Sequence, residues 1–132
     1  DKVGGIFVGQ VIEHLSIGQV VRLCELAYEK LEDGATIVME TPNPTCLSIY
    51  ANAFYMDPSH QKPVHPMTMR YVLEKAGFGK IETIFTESSR CPISIPELSG
   101  TGIDNLQEYN KAMHQVTKLL YSSQDFAIAA TK

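Results

Sequence analysis

The sequence predicts an α/β fold: a mostly parallel sheet with flanking helices in three layers. Residues 4–12 and 35–39 are continuous apolar runs, which is typical of strands buried on both faces. Between them, residues 17–31 carry apolar side chains at a period of about 3.6 residues, which indicates a helix. The joints are short, so these elements form a strand–helix–strand unit with parallel strands and a right-handed crossover.

The ends of the first helix carry recognisable signals. Ser16 and Gln19 have the spacing of a capping box, in which each side chain accepts a hydrogen bond from the other residue's backbone N–H group. Gly34 follows the helix, where a left-handed residue is expected at the C-terminal cap. Both signals place this helix directly between the two strands.

The rest of the chain has a less regular pattern of apolar residues, which predicts further elements of the same fold. The expected elements are, in order, a short helix or lid over 46–56, a helix from Pro66 to Gly77, a strand over 80–86, a loop over 87–103, a helix capped near Asp104, and a last strand over 124–131.

Composition and charge exclude several classes of protein. The 132 residues suit a single domain, and the net charge of −4 with scattered basic residues argues against nucleic-acid or anionic-membrane partners. The three cysteines form no Cys-x-x-Cys pair, which favours free thiols in the cytoplasm. Because the chain begins at Asp1 and a strand follows within about three residues, we expect a fragment of a longer domain.

Polar and titratable residues follow the predicted strands. Glu13 and His14 come after the first strand, Glu40 lies at the end of the second, and Asp57 and His60 follow shortly afterwards. In open α/β sheets, ligands bind outside the carboxyl ends of the strands. Imidazole titrates near neutral pH and is a common general base. These residues therefore predict an active or binding site.

Four segments carry a family resemblance: VIEHL (11–15), LEDGATIVMETPNP (31–44), FYMDPSHQKPVHP (54–66) and TMRYVLEKAGF (68–78). With them, the chain resembles the C-terminal half of a class I S-adenosylmethionine-dependent methyltransferase. The matching branch is bacterial and archaeal and is often associated with sugar or polysaccharide modification. The resemblance implies that the last strand is antiparallel and lies between the second and third strands of this chain.

The resemblance also implies roles for site residues. Gly9, Gln10 and Val11 would pass beside S-adenosylmethionine, and His14 would be a base for the acceptor, with Glu13 and His60 assisting. No metal is implied, because Gln10 stands where metal-linked relatives have an acid. No glycine-rich cofactor loop occurs in the chain, so we expect weak or no cofactor binding by this chain alone.

Several structural alternatives stay open for the same residues. Glu13 could accept backbone N–H groups at the start of the first helix, and His14 could be a packing residue. His60 could position a substrate or could order its loop. Asp57, His60 and His65 contain metal-ligand types, but their spacing matches no helical ligand pair.

Two functional hypotheses follow. The first is the substrate-side half of a methyltransferase that acts on a small-molecule or sugar acceptor, with the chain alone inactive. The second is a non-catalytic α/β folding or dimerisation module. In that case the strand over residues 4–12 would be an exposed apolar edge and would pair with a second copy.

Overall fold

The computed structural model describes all residues, 1–132. The strands are β1 (Val3–Gly9), β2 (Leu31–Pro42), β3 (Gly79–Phe85) and β4 (Asp125–Thr131), and the α-helices are α1 (Ile17–Lys30), α2 (Leu47–Ala51), α3 (Pro66–Ala76) and α4 (Leu106–Leu120). Short 3-10 turns lie at Ile12–His14, Ala53–Met56 and Glu87–Ser89. None of the helices combines the length and apolar character that a membrane-spanning helix requires.

The four strands form one open α/β sheet in the order β1-β2-β4-β3. β1 and β2 pair in parallel, whereas β4 is antiparallel to both β2 and β3. The expected antiparallel last strand and its place between the second and third strands are confirmed. The sheet is mixed rather than mostly parallel: three strands point the same way, but β4 separates two of them, so only one pairing is parallel.

The core lies on one face of this sheet. Ile37 and Met39 of β2, with Ile128 of β4, pack there against α1 and α3, which also contact each other. Both crossovers move across the sheet in one direction, so right-handedness places both helices on the same face. The opposite face is more open, and Phe7 on it is 71% exposed.

The sequence signals at the start of α1 and at both ends of α3 are confirmed, because each depends only on residues close together in the chain. The Ser16–Gln19 capping box is present in both directions. Pro66 occupies the first turn of α3, and Gly77 ends that helix in the left-handed region with a φ of 106°. The amide of Phe78 then donates to the carbonyl of Leu73, which closes the last turn.

Three expected boundaries of strands and helices are wrong, because the element begins or ends at a different residue from the one expected. The first strand ends at Gly9 instead of residue 12, because Gln10 is left-handed with a φ of 53° and a 3-10 turn follows. Gly34 is left-handed as expected, but it lies within β2, which already begins at Leu31. Asn105, not Asp104, precedes α4, and its side chain makes no cap hydrogen bond.

Candidate active site

The Glu13-His14 pair lies on the 3-10 turn that follows β1, at the carboxyl end of the parallel strands. Glu13 is only 1% exposed. Its Oε2 accepts a hydrogen bond of 2.9 Å from the Thr41 hydroxyl at the end of β2. The alternative that Glu13 caps α1 is wrong, because the Ser16 side chain already accepts the Gln19 amide there.

The second carboxylate oxygen of Glu13 is the unusual feature of this site. Oε1 is buried and has no hydrogen-bond partner. His14 Nε2 lies 3.9 Å from this oxygen. Leaving a buried acceptor unpaired costs about 1–3 kcal/mol, and more for a charged group. The arrangement leaves an unpaired acceptor beside the His14 ring.

His14 is the more accessible member of the pair, with 33% of its side chain exposed. Its Nδ1 lies 2.9 Å from the hydroxyl of Ser59. Its ring centroid is 4.7 Å from that of His60. A half-exposed imidazole between a buried carboxylate and a polar loop is placed to exchange a proton with a bound molecule.

The structure brings His60 to the site and also gives it a part in ordering its loop. His60 Nδ1 lies 2.6 Å from the backbone carbonyl of Phe54, and the two rings are 4.5 Å apart. Because a carbonyl only accepts hydrogen bonds, His60 Nδ1 carries a proton and donates to Phe54. Nε2 of the same ring lies 3.8 Å from Asp57 Oδ2. His60 therefore helps to order the loop that carries it.

The segment from Asp57 to Gln61 closes over the Glu13-His14 turn. The Gln61 amide donates to the Glu13 carbonyl over 2.8 Å, and Gln61 Nε2 donates to the His14 carbonyl over 2.9 Å. Asp57 accepts from both the hydroxyl and the amide of Ser59. These bonds, first that of the Ser59 hydroxyl, lower the pKa of the Asp57 carboxyl.

Ser59 and Gln61 are site residues that sequence reasoning missed. An available signal was the run Asp57-Pro58-Ser59, in which an aspartate side chain readily accepts the amide two residues on. Nothing local indicates that Gln61 reaches the backbone of residues 13 and 14, because that contact depends on the tertiary fold.

A possible cation site differs from the one considered in the sequence. Glu13, His14 and His60 each offer a donor atom, and these atoms lie within 4.8 Å of one another. His65 is elsewhere, since its ring caps α3 by accepting the Met67 amide over 3.1 Å. The chemistry of this donor set suits a transition metal as well as a proton. The expectation of no metal stays a prediction.

Gly9, Gln10 and Val11 lie at the exposed end of β1. Gln10 donates its amide to the Glu40 carbonyl over 2.8 Å and its side-chain nitrogen to Asp125 over 3.1 Å. Val11 is 41% exposed. The expected contact of these three residues with a cofactor stays a prediction.

A cavity of about 230 Å³ adjoins the site. His60 and Asp125 supply its ionisable groups, and Phe54 forms part of its apolar wall. Phe54 is buried, whereas Tyr50 and Tyr55 are exposed. The volume is below the roughly 300–1,000 Å³ of typical ligand pockets, so it suits a small group.

The cysteines offer no nucleophile at this site. Cys24 is buried in the core, and burial raises its pKa to about 11. Cys46 is also buried. Burial alone would raise the pKa of Cys46, but hydrogen bonds from Ser48, the Ile49 backbone and Ser122 outweigh burial and lower it.

Comparison of the fold with solved structures finds methyltransferases. The chain aligns over 99% of its length with a SAM-dependent methyltransferase from Archaeoglobus fulgidus, with 32% identity and a TM-score of 0.90, and covers 60% of that protein. An S-adenosylmethionine-dependent methyltransferase from Mesorhizobium loti matches 100% of the chain at 13% identity and a TM-score of 0.59, with 62% of that protein covered.

A third match is phosphoethanolamine N-methyltransferase 2 from Haemonchus contortus, in complex with S-adenosyl-L-methionine. It matches 98% of the chain at 14% identity and a TM-score of 0.58, with 33% of that protein covered. No protein-family model and no curated protein matches the chain. The chain has the class I methyltransferase fold and spans less than two thirds of each of these three proteins.

Proposed function

We propose that the chain forms the acceptor side of an S-adenosylmethionine-dependent methyltransferase. The observation that carries this proposal is the Glu13-His14-His60 cluster, which lies at the carboxyl end of the parallel strands of a methyltransferase fold. The 32% identity to the Archaeoglobus fulgidus methyltransferase supports the same assignment.

Gly9, Gln10 and Val11 would hold one side of the cofactor, against the exposed end of β1. S-adenosylmethionine, when bound, supplies an electrophilic methyl group. The chain covers 60% of the Archaeoglobus fulgidus protein and lacks a glycine-rich loop. We therefore expect weak or no cofactor binding and no methyl transfer by this chain alone.

His14 would be the general base, because its imidazole is half-exposed and lies beside a buried carboxylate. His14 Nε2 would accept the proton that the acceptor loses, and Glu13 would stabilise the imidazolium that results. Positioning supplies much of the rate in such a transfer, and the base contributes roughly 100- to 10,000-fold. His60 would contact the acceptor from the adjoining cavity.

The acceptor would be a small molecule, including the sugars that the sequence resemblance implies. The adjoining cavity of about 230 Å³ admits a small group and is lined by His60 and Asp125. The net charge of −4 and the absence of clustered basic residues argue against a nucleic-acid substrate. We also propose a cytoplasmic location, which the three free thiols support.

A hybrid protein tests the proposal. Residues 1–132 replace the aligned part of the Archaeoglobus fulgidus protein, and binding of S-adenosylhomocysteine is measured by calorimetry. We expect micromolar binding, followed by transfer of labelled methyl to members of a panel of hydroxyl and amine acceptors. His14→Gln should remove transfer and leave binding unchanged. A folded hybrid that binds no S-adenosylhomocysteine would contradict the proposal.

A non-catalytic module is the second candidate, and one observation favours it. β1 is an edge strand of the sheet, and Phe7 beside that edge is exposed. Unpaired strand edges bind other strands readily. A second copy of the chain could pair there, through residues 4–12. The hybrid separates the two candidates, since a module would support neither cofactor binding nor transfer.

A further inference from the structure

The hydrogen bonds around Ser59 have only one consistent direction. Ser59 Oγ lies 2.5 Å from Asp57 Oδ1 and 2.9 Å from His14 Nδ1. A carboxylate only accepts and a serine hydroxyl has a single hydrogen, so Ser59 donates to Asp57. The hydroxyl oxygen must accept from its other neighbour. His14 Nδ1 therefore carries a proton.

Asp57 remains a carboxylate at neutral pH, as this direction requires. The hydroxyl and then the amide of Ser59 lower the pKa of Asp57, and His60 and His14 add to the effect. The amide of Ser59 also donates to Asp57 Oδ1, over 2.8 Å. Asp57 thus orients both the backbone and the side chain of Ser59.

The loop that carries Ser59 is anchored independently of the Ser59 hydroxyl. Gln61 makes two hydrogen bonds to the carbonyls of Glu13 and His14. His60 Nδ1 is bonded to the Phe54 carbonyl. Ser59 is therefore held beside the imidazole by its own loop, even though its side chain is exposed to water.

We infer that Ser59, oriented by Asp57, is a positioning residue that holds neutral His14 in its Nδ1–H tautomer and leaves Nε2 as the basic nitrogen. The hydrogen bond at one ring nitrogen sets which nitrogen carries the proton. Nε2 is the nitrogen that lies 3.9 Å from the unpaired Glu13 Oε1. A proton accepted at Nε2 thus arrives beside a buried negative oxygen.

The inference deepens the proposed function, on which its catalytic consequence rests. In the transfer, the acceptor's lone pair bonds the methyl carbon and its proton moves to His14 Nε2. The electron pair of the broken carbon–sulfur bond stays on sulfur. Ser59 contacts none of the reacting atoms, so its effect comes through the tautomer of His14.

Nuclear magnetic resonance tests the tautomer directly. Long-range ¹H–¹⁵N correlation spectra of the ¹⁵N-labelled chain at about pH 8, above the ordinary pKa of histidine, separate protonated from unprotonated ring nitrogens. We expect wild-type His14 to be protonated at Nδ1. Ser59→Ala should convert most of the population to the Nε2–H form, and Ser59→Thr should restore Nδ1–H. Ser99→Ala, at an exposed loop serine, is the matched control.

Either of two results overturns the inference: wild-type His14 protonated at Nε2, or Ser59→Ala with the Nδ1–H form unchanged in a folded protein. In an active hybrid, Ser59→Ala should lower kcat about tenfold with KM unchanged, and Ser59→Thr should recover it. If Ser59→Ala changes the tautomer of His14 in a hybrid that transfers no methyl group, the result would refute the proposed function and support the inference.

Discussion

The surroundings of Glu13 lower the stability of the fold but would suit a role in proton transfer. One of its oxygens accepts from Thr41, whereas the other is buried without a partner beside His14 Nε2. Such an arrangement weakens the fold unless a proton or cation arrives. It is useful when His14 takes up a proton, because the charge that forms is then stabilised at once.

Glu13→Gln should separate these two effects. The amide keeps the Thr41 hydrogen bond, removes the buried charge and can donate to His14 Nε2. We expect the free energy of unfolding to rise by about 1 kcal/mol, measured by urea denaturation. Glu25→Gln, at an exposed position of α1, should change it little. A decrease of more than about 1 kcal/mol in the free energy of unfolding of Glu13→Gln would contradict the conclusion that Oε1 has no hydrogen-bond partner.

Asp57 gives the loop a defined dependence on pH. Its pKa is lowered in the folded chain, first by the Ser59 hydroxyl, so its contribution to stability is present above its ordinary pKa and is lost as pH falls through the lowered value. We expect the Ser59 amide resonance to show a transition below about pH 4. Asp57→Asn should remove that transition. Persistence of the transition in Asp57→Asn would contradict its assignment to Asp57.

At the scale of elements, local signals in the sequence predict what neighbouring residues decide. The capping box of α1 and the ends of α3 depend on residues within about four positions, and both are confirmed. The boundary of β1 depends on the left-handed Gln10, which no local signal indicates. The contact of Ser59 with His14 joins residues 45 positions apart, so only the fold reveals it.

Gly77 shows how an element boundary contributes to stability. Its φ of 106° is unfavourable for other residues, and an added Cβ would lie 3.0 Å from the Tyr28 ring. Gly77→Ala should therefore lower the free energy of unfolding by roughly 1–3 kcal/mol. Gly18→Ala is the matched control, because Gly18 lies in α1 with no atom within 4 Å of the added Cβ. Urea denaturation of both variants checks this, and equal effects would contradict it.

At the scale of the whole molecule, helices α1 and α3 share one face of the sheet, and the other face and the β1 edge are more open. The patterns of the individual strands and helices predict the α/β class, whereas the order of the strands is what the family resemblance implies. Helices α1 and α3 cover only one face because both crossovers run in the same direction across the sheet. The periodicity of apolar residues does not indicate that direction.

The open edge predicts self-association. We expect a dimer in light scattering coupled to size-exclusion chromatography, with a fraction that rises with concentration. Phe7→Lys should shift the chain to monomer, because Phe7 is 71% exposed beside the edge. Tyr71→Lys, at an exposed position of α3, should not. A monomer at all concentrations would refute edge pairing.

The central claim is that the end of β1 faces S-adenosylmethionine. Titration of S-adenosylhomocysteine into the ¹⁵N-labelled hybrid, followed by amide chemical shifts, tests it most directly, because the hybrid supplies the part of the related methyltransferase that this chain does not span. Among residues 1–132, we predict the largest shifts at Gly9, Gln10 and Val11 and smaller ones at His14. Unchanged shifts at these amides, or the largest shifts elsewhere, would contradict the account.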